Sequence, residues 1–260
     1  MRRIFNALLL TVFIAVILII ARWIGDRAYS WMPIQATAEA ERVDRIFSFL
    51  TSVGTFIFLA IVGTIGYSIL TGRAPKGDWS HGHPARSDVR LEILWTVAPT
   101  VLVLWLAVQS FNIYQQLNIE GLQPIVHLHL LEEPAAAATV KNTTQRAANI
   151  EVLAKQWVWS FRYPNNVISN ELHLKVNERT RLNLHSQDVI HGFYVPEFRL
   201  KQDMIPNRNI NLVLTPTKIG KYHLRDSQFS GTDFALMEAN VYVESPEAFD
   251  RWISQAATPK

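Results

Sequence analysis

Three stretches of this sequence contain no charged residue, and each restricts what the chain can fold into. They cover residues 4–21, 46–72 and 93–119. A helix needs about 20 mostly apolar residues to cross a hydrocarbon core about 30 Å thick. The second and third stretches exceed that length, and Pro99 falls in the first turns of the third, where a missing N–H is tolerated. The sequence therefore predicts a transmembrane α-helical hairpin at residues 46–119.

The first apolar stretch follows a basic start and is compatible with either a membrane anchor or a cleaved signal peptide. The small-residue segment ATAEA, a candidate cleavage site, begins at Ala36, well past the end of the apolar run. A lipoprotein cleavage site requires cysteine, and the chain has none. We favour an uncleaved N-terminal hydrophobic segment within residues 1–45.

The lysine and arginine residues near the three stretches indicate the orientation in the membrane. If the N-terminus lies inside, six of these residues are cytoplasmic and four are outside. The cytoplasmic set is Arg2, Arg3, Arg73, Lys76, Arg86 and Arg90, and the outer set is Arg22, Arg27, Arg42 and Arg45. This bias places the large C-terminal part outside the cytoplasm.

The pattern changes after residue 120. The segments IVHLHL, LHLKV, RLNLHS, NINLVLT, KYHLRDS and EANVYVES alternate apolar and polar residues. This is the period of half-buried strands, and turn-forming segments such as YPNN separate them. The pattern predicts an all-β sandwich at residues 120–245, with an exposed loop at residues 132–148.

The last segment, residues 246–260, begins with a helix start signal. Ser245 is a good N-cap, Pro246 suits the first helical position and Glu247 suits the helix dipole. We expect a short helix with Phe249 and Trp252 on one face.

Composition excludes several classes of site. Without cysteine, the chain cannot form disulfides, iron–sulfur clusters or thiolate copper sites. The net charge is only +3, and no basic stripe is interleaved with aromatic residues, so nucleic acid is not expected as a partner.

The histidines are the first candidates for a site. His127 and His129 share a strand face and could be metal ligands, although we favour an ordinary polar face of an outer strand. His81 and His83 are expected to be solvated in a cytoplasmic loop, and His185 and His223 are strand residues with no obvious partner. His191 lies between apolar and aromatic pairs, and we place it at a strand end near the loop at residues 222–237. Asp188 could pair with His185 or His191, but no candidate nucleophile accompanies them, and a hydrolase is not favoured.

Four segments, in order, resemble the second subunit of heme–copper terminal oxidases. They are LEILWTVAPT (91–100), KQWVWSFRYP (155–164), DVIHGFYVPEFRLKQDMIPNR (188–208) and GKYHLRDSQFSGTDFALM (220–237). The second resembles the family's aromatic strand, and the fourth stands in the place of its copper loop. The resemblance covers roughly residues 40–255. It implies a cupredoxin-like domain outside the membrane and a helical hairpin packed on the catalytic subunit.

Members of that family that accept electrons from cytochrome c carry a dinuclear copper centre. Its ligands are two Cys, two His, one Met side chain and one Glu backbone carbonyl. His191 and Met237 match one His and the Met; Asp226 and Ser230 stand at the Cys positions, Gln228 at the Glu and Phe234 at the second His. Two coppers that share an electron need soft bridging sulfur, so we expect no metal in this subunit. We also expect Phe234 to fill the vacated site.

Three further roles follow from the resemblance. Glu92 matches the acid at the mouth of a proton pathway, although a carboxylate there also suits a helix N-terminus. Trp157 matches the residue through which cytochrome c passes its electron, and without copper a packing role is expected. Gln228 replaces a carboxylate that reaches an interfacial magnesium ion, which puts that ion in doubt.

The resemblance implies a non-catalytic subunit II of a proton-moving, oxygen-reducing oxidase that resembles the quinol oxidases and alternative respiratory terminal oxidases. Hemes and the remaining copper are expected in subunit I, with subunits I and III and membrane lipid as partners and quinol as donor. The expected location is an energy-transducing membrane (plasma or thylakoid), with the C-terminal domain periplasmic or lumenal. The alternatives are a cytochrome c oxidase type subunit fed by a soluble carrier, a domain binding one copper through His191 and Met237, and a copper-free interaction or assembly protein.

Overall fold

The structure is a computed structural model, and it describes residues 2–73, 76–77, 87–116 and 148–257. The chain divides into two compact units. The first comprises Met1–Met32 and Val43–Phe111, and the second comprises Pro33–Arg42 and Asn112–Lys260. The predicted strand at residues 125–130, most of the predicted loop at 132–148, and His81, His83, His127 and His129 lie outside the described residues.

Three long helices carry the three apolar stretches. They are α1 (Arg2–Arg27), α2 (Ala38–Thr71) and α3 (Val89–Gln116). Each contains a segment long and apolar enough to cross a bilayer, which confirms the three predicted stretches. Helices suit this environment because they satisfy every backbone hydrogen bond internally. Retention of α1 as an anchor stays a prediction.

Small residues allow α1 and α2 to approach closely. The Ser48 hydroxyl donates to the Gly25 carbonyl over 2.7 Å, and a Cβ at Gly25 would lie 1.8 Å from the Ser52 Oγ. Such contacts between small residues are the usual way in which helix backbones meet in a membrane. Phe49 of α2 and Trp105 of α3 pack with ring centroids 5.0 Å apart.

Helix α2 begins at Ala38, earlier than the uncharged stretch that starts at residue 46. The Thr37 hydroxyl oxygen accepts from the Ala40 N–H at 3.2 Å and caps the helix. Glu39 and Glu41 lie in the first turn, where the helix dipole favours acids. The charged residues before residue 46 therefore mark where the apolar part of α2 begins, while the helix itself begins earlier, at Ala38.

The described residues of the second unit form a sandwich of two sheets, each with five strands in this part of the chain. The first sheet has the order β3 (Ile168–Ser169), β2 (Val158–Arg162), β1 (Ala148–Lys155), β5 (Thr180–Ser186) and β8 (Ile210–Leu214). The second has the order β4 (Leu172–Lys175), β10 (Glu238–Glu244), β9 (Gly220–Asp226), β6 (His191–Val195) and β7 (Leu200–Met204). Inward-facing Phe161, Leu182, Phe193, Leu212 and Val241 fill the space between the sheets. The predicted sandwich is confirmed.

The alternating segments that fall on β4, β5, β8, β9 and β10 were predicted as strands, and each of these predictions is confirmed. The segment at 155–164 differs from the expected single aromatic strand. It contains the end of β1, a turn at Gln156 and Trp157, and then β2. Strand β1 pairs antiparallel with the adjacent β2 and parallel with the more distant β5, and the local pattern alone did not reveal the second pairing.

The predicted C-terminal helix is α4, which spans Pro246–Ala256. The Ser245 hydroxyl accepts from the Ala248 N–H, as expected of an N-cap. Phe249, Trp252 and Ile253 pack against the core of the sandwich, so both predicted apolar residues do face it.

Candidate functional site

Three loops of the sandwich are tied together by hydrogen bonds. They are the β1–β2 turn at residues 156–157, the β5–β6 loop at 187–190 and the β9–β10 loop at 227–237. The Gln156 N–H donates to Asp188 Oδ2 at 2.7 Å, and the Gln156 side chain donates to the Ser230 carbonyl at 2.6 Å. The predicted site residues at 157, 191, 226, 228, 230, 234 and 237 all lie on these loops or at the strand ends beside them.

His191 is the first residue of β6, and its side chain is completely buried. Its Nδ1 lies 2.7 Å from Asp226 Oδ2, and its Nε2 lies 2.8 Å from Asp188 Oδ1. Each ring nitrogen therefore faces a carboxylate. The two carboxylates lie at opposite edges of the imidazole ring. The three side chains therefore cannot bind the same metal ion.

Asp226 ends β9 and is also fully buried at its side chain. Its Oδ1 accepts from the N–H groups of Gly192 (2.7 Å) and Gln228 (3.0 Å). Its Oδ2 lies 2.7 Å from both Ser230 Oγ and His191 Nδ1. A buried carboxylate is tolerated when its oxygens are fully hydrogen bonded, and that condition is met.

Asp188 forms the outer end of this network and is partly exposed. Burial acts to raise its pKa, but hydrogen bonds from the Gln156 N–H, His191 and the Val189 N–H outweigh it and lower the pKa. A folded-state pKa below the unfolded value stabilises the domain at neutral pH. That stabilisation is lost as the pH falls through the lowered pKa.

Phe234 does not fill the vacated interior, so that expectation is wrong. It begins a short 3-10 turn, Phe234–Leu236, and its half-buried ring packs on the exposed Phe229 with centroids 5.2 Å apart. The interior is occupied instead by the network of Asp226, His191 and Ser230. A hydrogen-bonded polar network avoids an empty cavity as well as an aromatic ring does.

Met237 is buried, and its carbonyl accepts from the Trp159 indole at 3.2 Å and from the Asp226 N–H at 3.1 Å.

The Gln228 side chain donates to Asp203 Oδ1 at 2.8 Å, at the rim of a cleft of about 370 Å³ that Lys201 also lines. Gln228 is thus tied to β7.

Trp157 packs against the β9–β10 loop. A Cβ at Gly231 would lie 3.0 Å from its Cζ2, and Gly231 has φ +118°, a conformation that favours glycine. The indole Nε1 is buried without a hydrogen-bond partner among the described residues. These contacts support the expected packing role of Trp157.

Glu92 lies in the first turn of α3, half-buried, in the other unit. The Asp88 side chain caps this helix by accepting from the Arg90 N–H at 2.9 Å. Asp88, and not Glu92, is therefore the capping residue, while the place of Glu92 in the first turn still suits the helix dipole.

The residues at the former copper positions do not fit the dinuclear centre. No thiolate is available to bridge two metals, and harder oxygen ligands do not replace it. Both nitrogens of His191 and both oxygens of Asp226 are already engaged. Among the residues that the structure describes, no group of three His, Cys, Asp or Glu is placed to hold a metal ion.

Two family models match this chain. The model described as "Cytochrome C oxidase subunit II, transmembrane domain" matches residues 28–113, and "Cytochrome C oxidase subunit II, periplasmic domain" matches residues 166–244. The chain therefore belongs to the cytochrome c oxidase subunit II family. Accordingly, it is subunit II of a heme–copper oxidase and a membrane protein with a C-terminal periplasmic cupredoxin-like domain.

Two relatives of nearly full-length coverage agree with this assignment. "Cytochrome c oxidase subunit 2" of Synechocystis sp. is 33% identical, over 93% of this chain and 80% of the relative. The protein of the same name from Thermostichus vulcanus is 31% identical, over 92% and 82%. The solved periplasmic domain of subunit II of cytochrome oxidase from Bradyrhizobium japonicum is 29% identical over 42% of this chain and 92% of that chain, with a TM-score of 0.40.

Two serines in the β9–β10 loop should respond differently to mutation. Ser230 donates to the buried Asp226, so Ser230→Ala should lower the free energy of unfolding by about 1–3 kcal/mol. The buried Ser227 hydroxyl has no hydrogen-bond partner among the described residues, so Ser227→Ala should stay within about 0.5 kcal/mol of wild type. Denaturant unfolding of the full-length protein in detergent, followed by tryptophan fluorescence, measures both. Equal losses in the two variants would contradict the role given to Ser230.

Proposed function

We propose that this subunit belongs to a proton-moving heme–copper oxidase in which quinol supplies the electrons and oxygen is reduced to water. One observation carries the proposal. The positions that hold bridging thiolates in copper-bearing relatives hold Asp226 and Ser230, and both are locked into a hydrogen-bonded network with His191. A periplasmic domain without a redox centre cannot relay electrons from a soluble donor.

Under this proposal the periplasmic domain is a structural cap and electrons enter elsewhere. Hemes and the remaining copper belong to subunit I, and subunit III completes the complex. Quinol is dissolved in the membrane, so it can reach a membrane-embedded subunit without passing through the sandwich. The half-buried Trp157, packed over Gly231, then serves the loop's structure and not electron transfer.

A second candidate keeps a soluble electron carrier as the donor. It is favoured by the names of the relatives, since both the Synechocystis and Thermostichus proteins are called cytochrome c oxidase subunit 2. In that case the carrier would have to pass electrons to subunit I without a copper centre in this domain.

Oxygen uptake by the purified complex distinguishes these donors. The complex is given a reduced short-chain quinol in one assay and reduced cytochrome c in another, and each donor supplies the same concentration of electrons. We expect uptake with quinol and only background uptake with cytochrome c. Uptake with cytochrome c alone would overturn the quinol proposal while leaving the family assignment intact.

Trp157→Phe provides a matched control, because phenylalanine preserves an aromatic contact with the loop at Gly231. The proposal predicts the same quinol-driven rate for this variant and the wild type. A lower rate of oxygen uptake with either donor, in a Trp157→Phe complex with normal heme content, would indicate that Trp157 takes part in electron entry.

Glu92 is proposed as the proton entrance of the complex. Half-buried at the cytoplasmic end of α3, it can take up protons from that side. Glu92→Gln should lower quinol-driven turnover several-fold, and Glu92→Asp should retain most of it because the acid is kept. Oxygen uptake and proton uptake by reconstituted vesicles measure the two variants. Wild-type turnover in Glu92→Gln would contradict the proton-entry role and leave Glu92 with a structural role in the first turn of α3.

A further inference from the structure

The connection between α1 and α2 contains a short segment, the strap (residues 36–39), that packs into the periplasmic sandwich. It falls in the same compact unit as the sandwich. Ala36 is completely buried and belongs to the core between the sheets, and Thr37 is only 2% exposed. The strap is also part of ATAEA, the candidate cleavage segment that follows the first apolar stretch. The candidate cleavage site is thus part of the folded domain.

One side of the strap pairs with the connection between β8 and β9. The Ala38 N–H donates to the Thr215 carbonyl at 3.0 Å, and the Thr217 N–H donates to the Ala36 carbonyl at 2.8 Å. These two bonds flank an antiparallel β-bridge at Pro216. The strap therefore extends the backbone hydrogen bonding of the sandwich, as an added strand does.

The other side of the strap bonds to the connection between β6 and β7, which contains the 3-10 turn Pro196–Phe198. The Ala36 N–H donates to the Glu197 carbonyl at 3.0 Å, and the Thr37 hydroxyl donates to the Phe198 carbonyl at 3.2 Å. Strand β8 belongs to the first sheet, and β6, β7 and β9 belong to the second. The strap thus ties together two connections, one of which passes from sheet to sheet.

Loss of the strap would be costly for the domain. Removing Ala36 would open part of the apolar core to water, and the backbone groups that now bond to the strap would lose their partners. The tolerance of a truncation depends on the burial and hydrogen bonding of the backbone that it removes, and here both are extensive. Cleavage at an A-x-A site in ATAEA, after Ala38 or after Ala40, would remove residues 36–38 from the mature chain.

We propose that the periplasmic domain needs the strap for its stability and that the mature protein therefore retains it. The ATAEA segment is then a structural element of the domain and not a processing site. Cleavage during export would precede folding, so the inference concerns the composition of the mature chain and not the access of a protease. It is independent of the electron donor.

Mass spectrometry of this subunit, taken from the purified complex, tests retention of the strap. The intact mass and the N-terminal peptide together give the first residue of the mature chain. We expect a first residue at or before Ala36. A chain that begins at Glu39 or Glu41, as the two cleavages would leave it, or at any other position after Ala36, would overturn the inference.

Amide hydrogen exchange in the purified complex tests the need for the strap. The N–H groups of Thr215 and Thr217 are suitable reporters, because both donate to the strap. Ala38→Pro removes the N–H that donates to the Thr215 carbonyl, at a first helical position that tolerates proline. Exchange at both reporters should be about tenfold faster in this variant than in wild type, which corresponds to the loss of one net hydrogen bond.

Ile34→Ala is the matched control, because Ile34 precedes the strap and is exposed. It should exchange at the wild-type rate. Thr37→Val serves if Ala38→Pro does not assemble, since it keeps the side-chain size and removes the hydroxyl that bonds to Phe198. Failure of both variants to assemble, while Ile34→Ala assembles, would support a strap that folding requires. Wild-type exchange in both strap variants, or equal acceleration in Ile34→Ala, would overturn the inference.

Discussion

Replacing His191 by alanine is expected to lower the free energy of unfolding of the periplasmic domain by about 3–5 kcal/mol. The ring is the neighbour of two carboxylates, and its removal leaves Asp226 buried with a lost partner and a cavity beside it. Denaturant unfolding of the full-length protein in detergent, followed by tryptophan fluorescence, measures the change. The buried Trp159 ring meets His191 at a centroid distance of 6.3 Å and reports on this region.

His223→Ala is the matched control, because His223 lies on the same strand as Asp226 but faces solvent. It should change stability by no more than about 0.5 kcal/mol. The double variant His191→Leu/Asp226→Leu should lose less than the sum of its single variants, since neither charge is then left unpaired. Strict additivity would show that the two side chains are not energetically coupled.

The second large effect is the gain of a copper centre by substitution. The variant D226C/Q228E/S230C/F234H restores the residue types of the copper-bearing relatives at all four altered positions, and with them the two thiolates and the second imidazole. His191 and Met237 are already buried at the same site and keep their identities. On addition of copper, this variant should bind two copper ions per chain and develop the near-infrared absorption of a mixed-valence pair. The wild type should bind no stoichiometric copper.

The control for that gain is Q228E/F234H, which restores the Glu and the second His of the relatives without either thiolate. It should bind no more copper than the wild type, because soft bridging sulfur is what couples the two metals. Failure of the fourfold variant to bind copper, in a protein that still folds, would show that the loop has lost the scaffold as well as the ligands. Copper binding by Q228E/F234H would show that thiolates are not the missing element.

The fold was predictable wherever the signal is local. Uncharged length reveals α1, α2 and α3, and alternation reveals strands such as β9 and β10, because both patterns depend on near neighbours. The start of α2 at Ala38 was not predicted, since its first turns are charged and depend on the Thr37 cap. The parallel pairing of β1 with β5 joins distant residues, which no local pattern records.

In the candidate site, too, local features could be predicted and contacts between distant residues could not. The ligand positions could be read from the sequence, but the contacts that replaced the ligands could not. Asp226 follows Tyr222 and Leu224 on the inward-facing side of β9, and that alternation could have indicated a buried carboxylate in need of partners. The partners themselves, Asp188 and Ser230, come from other loops. The apolar bulk of Phe234 predicted that it fills the interior, but the polar network that occupies this place joins residues from separate loops, which no local pattern records.

The most direct test of the central claim is electron paramagnetic resonance of the oxidised, purified complex. The account predicts heme signals and no signal from a mixed-valence copper pair, because Asp226 and Ser230 cannot bridge two metals. A mixed-valence copper signal that disappears in the His191→Ala complex would contradict the account, since it would place a working redox centre in this domain.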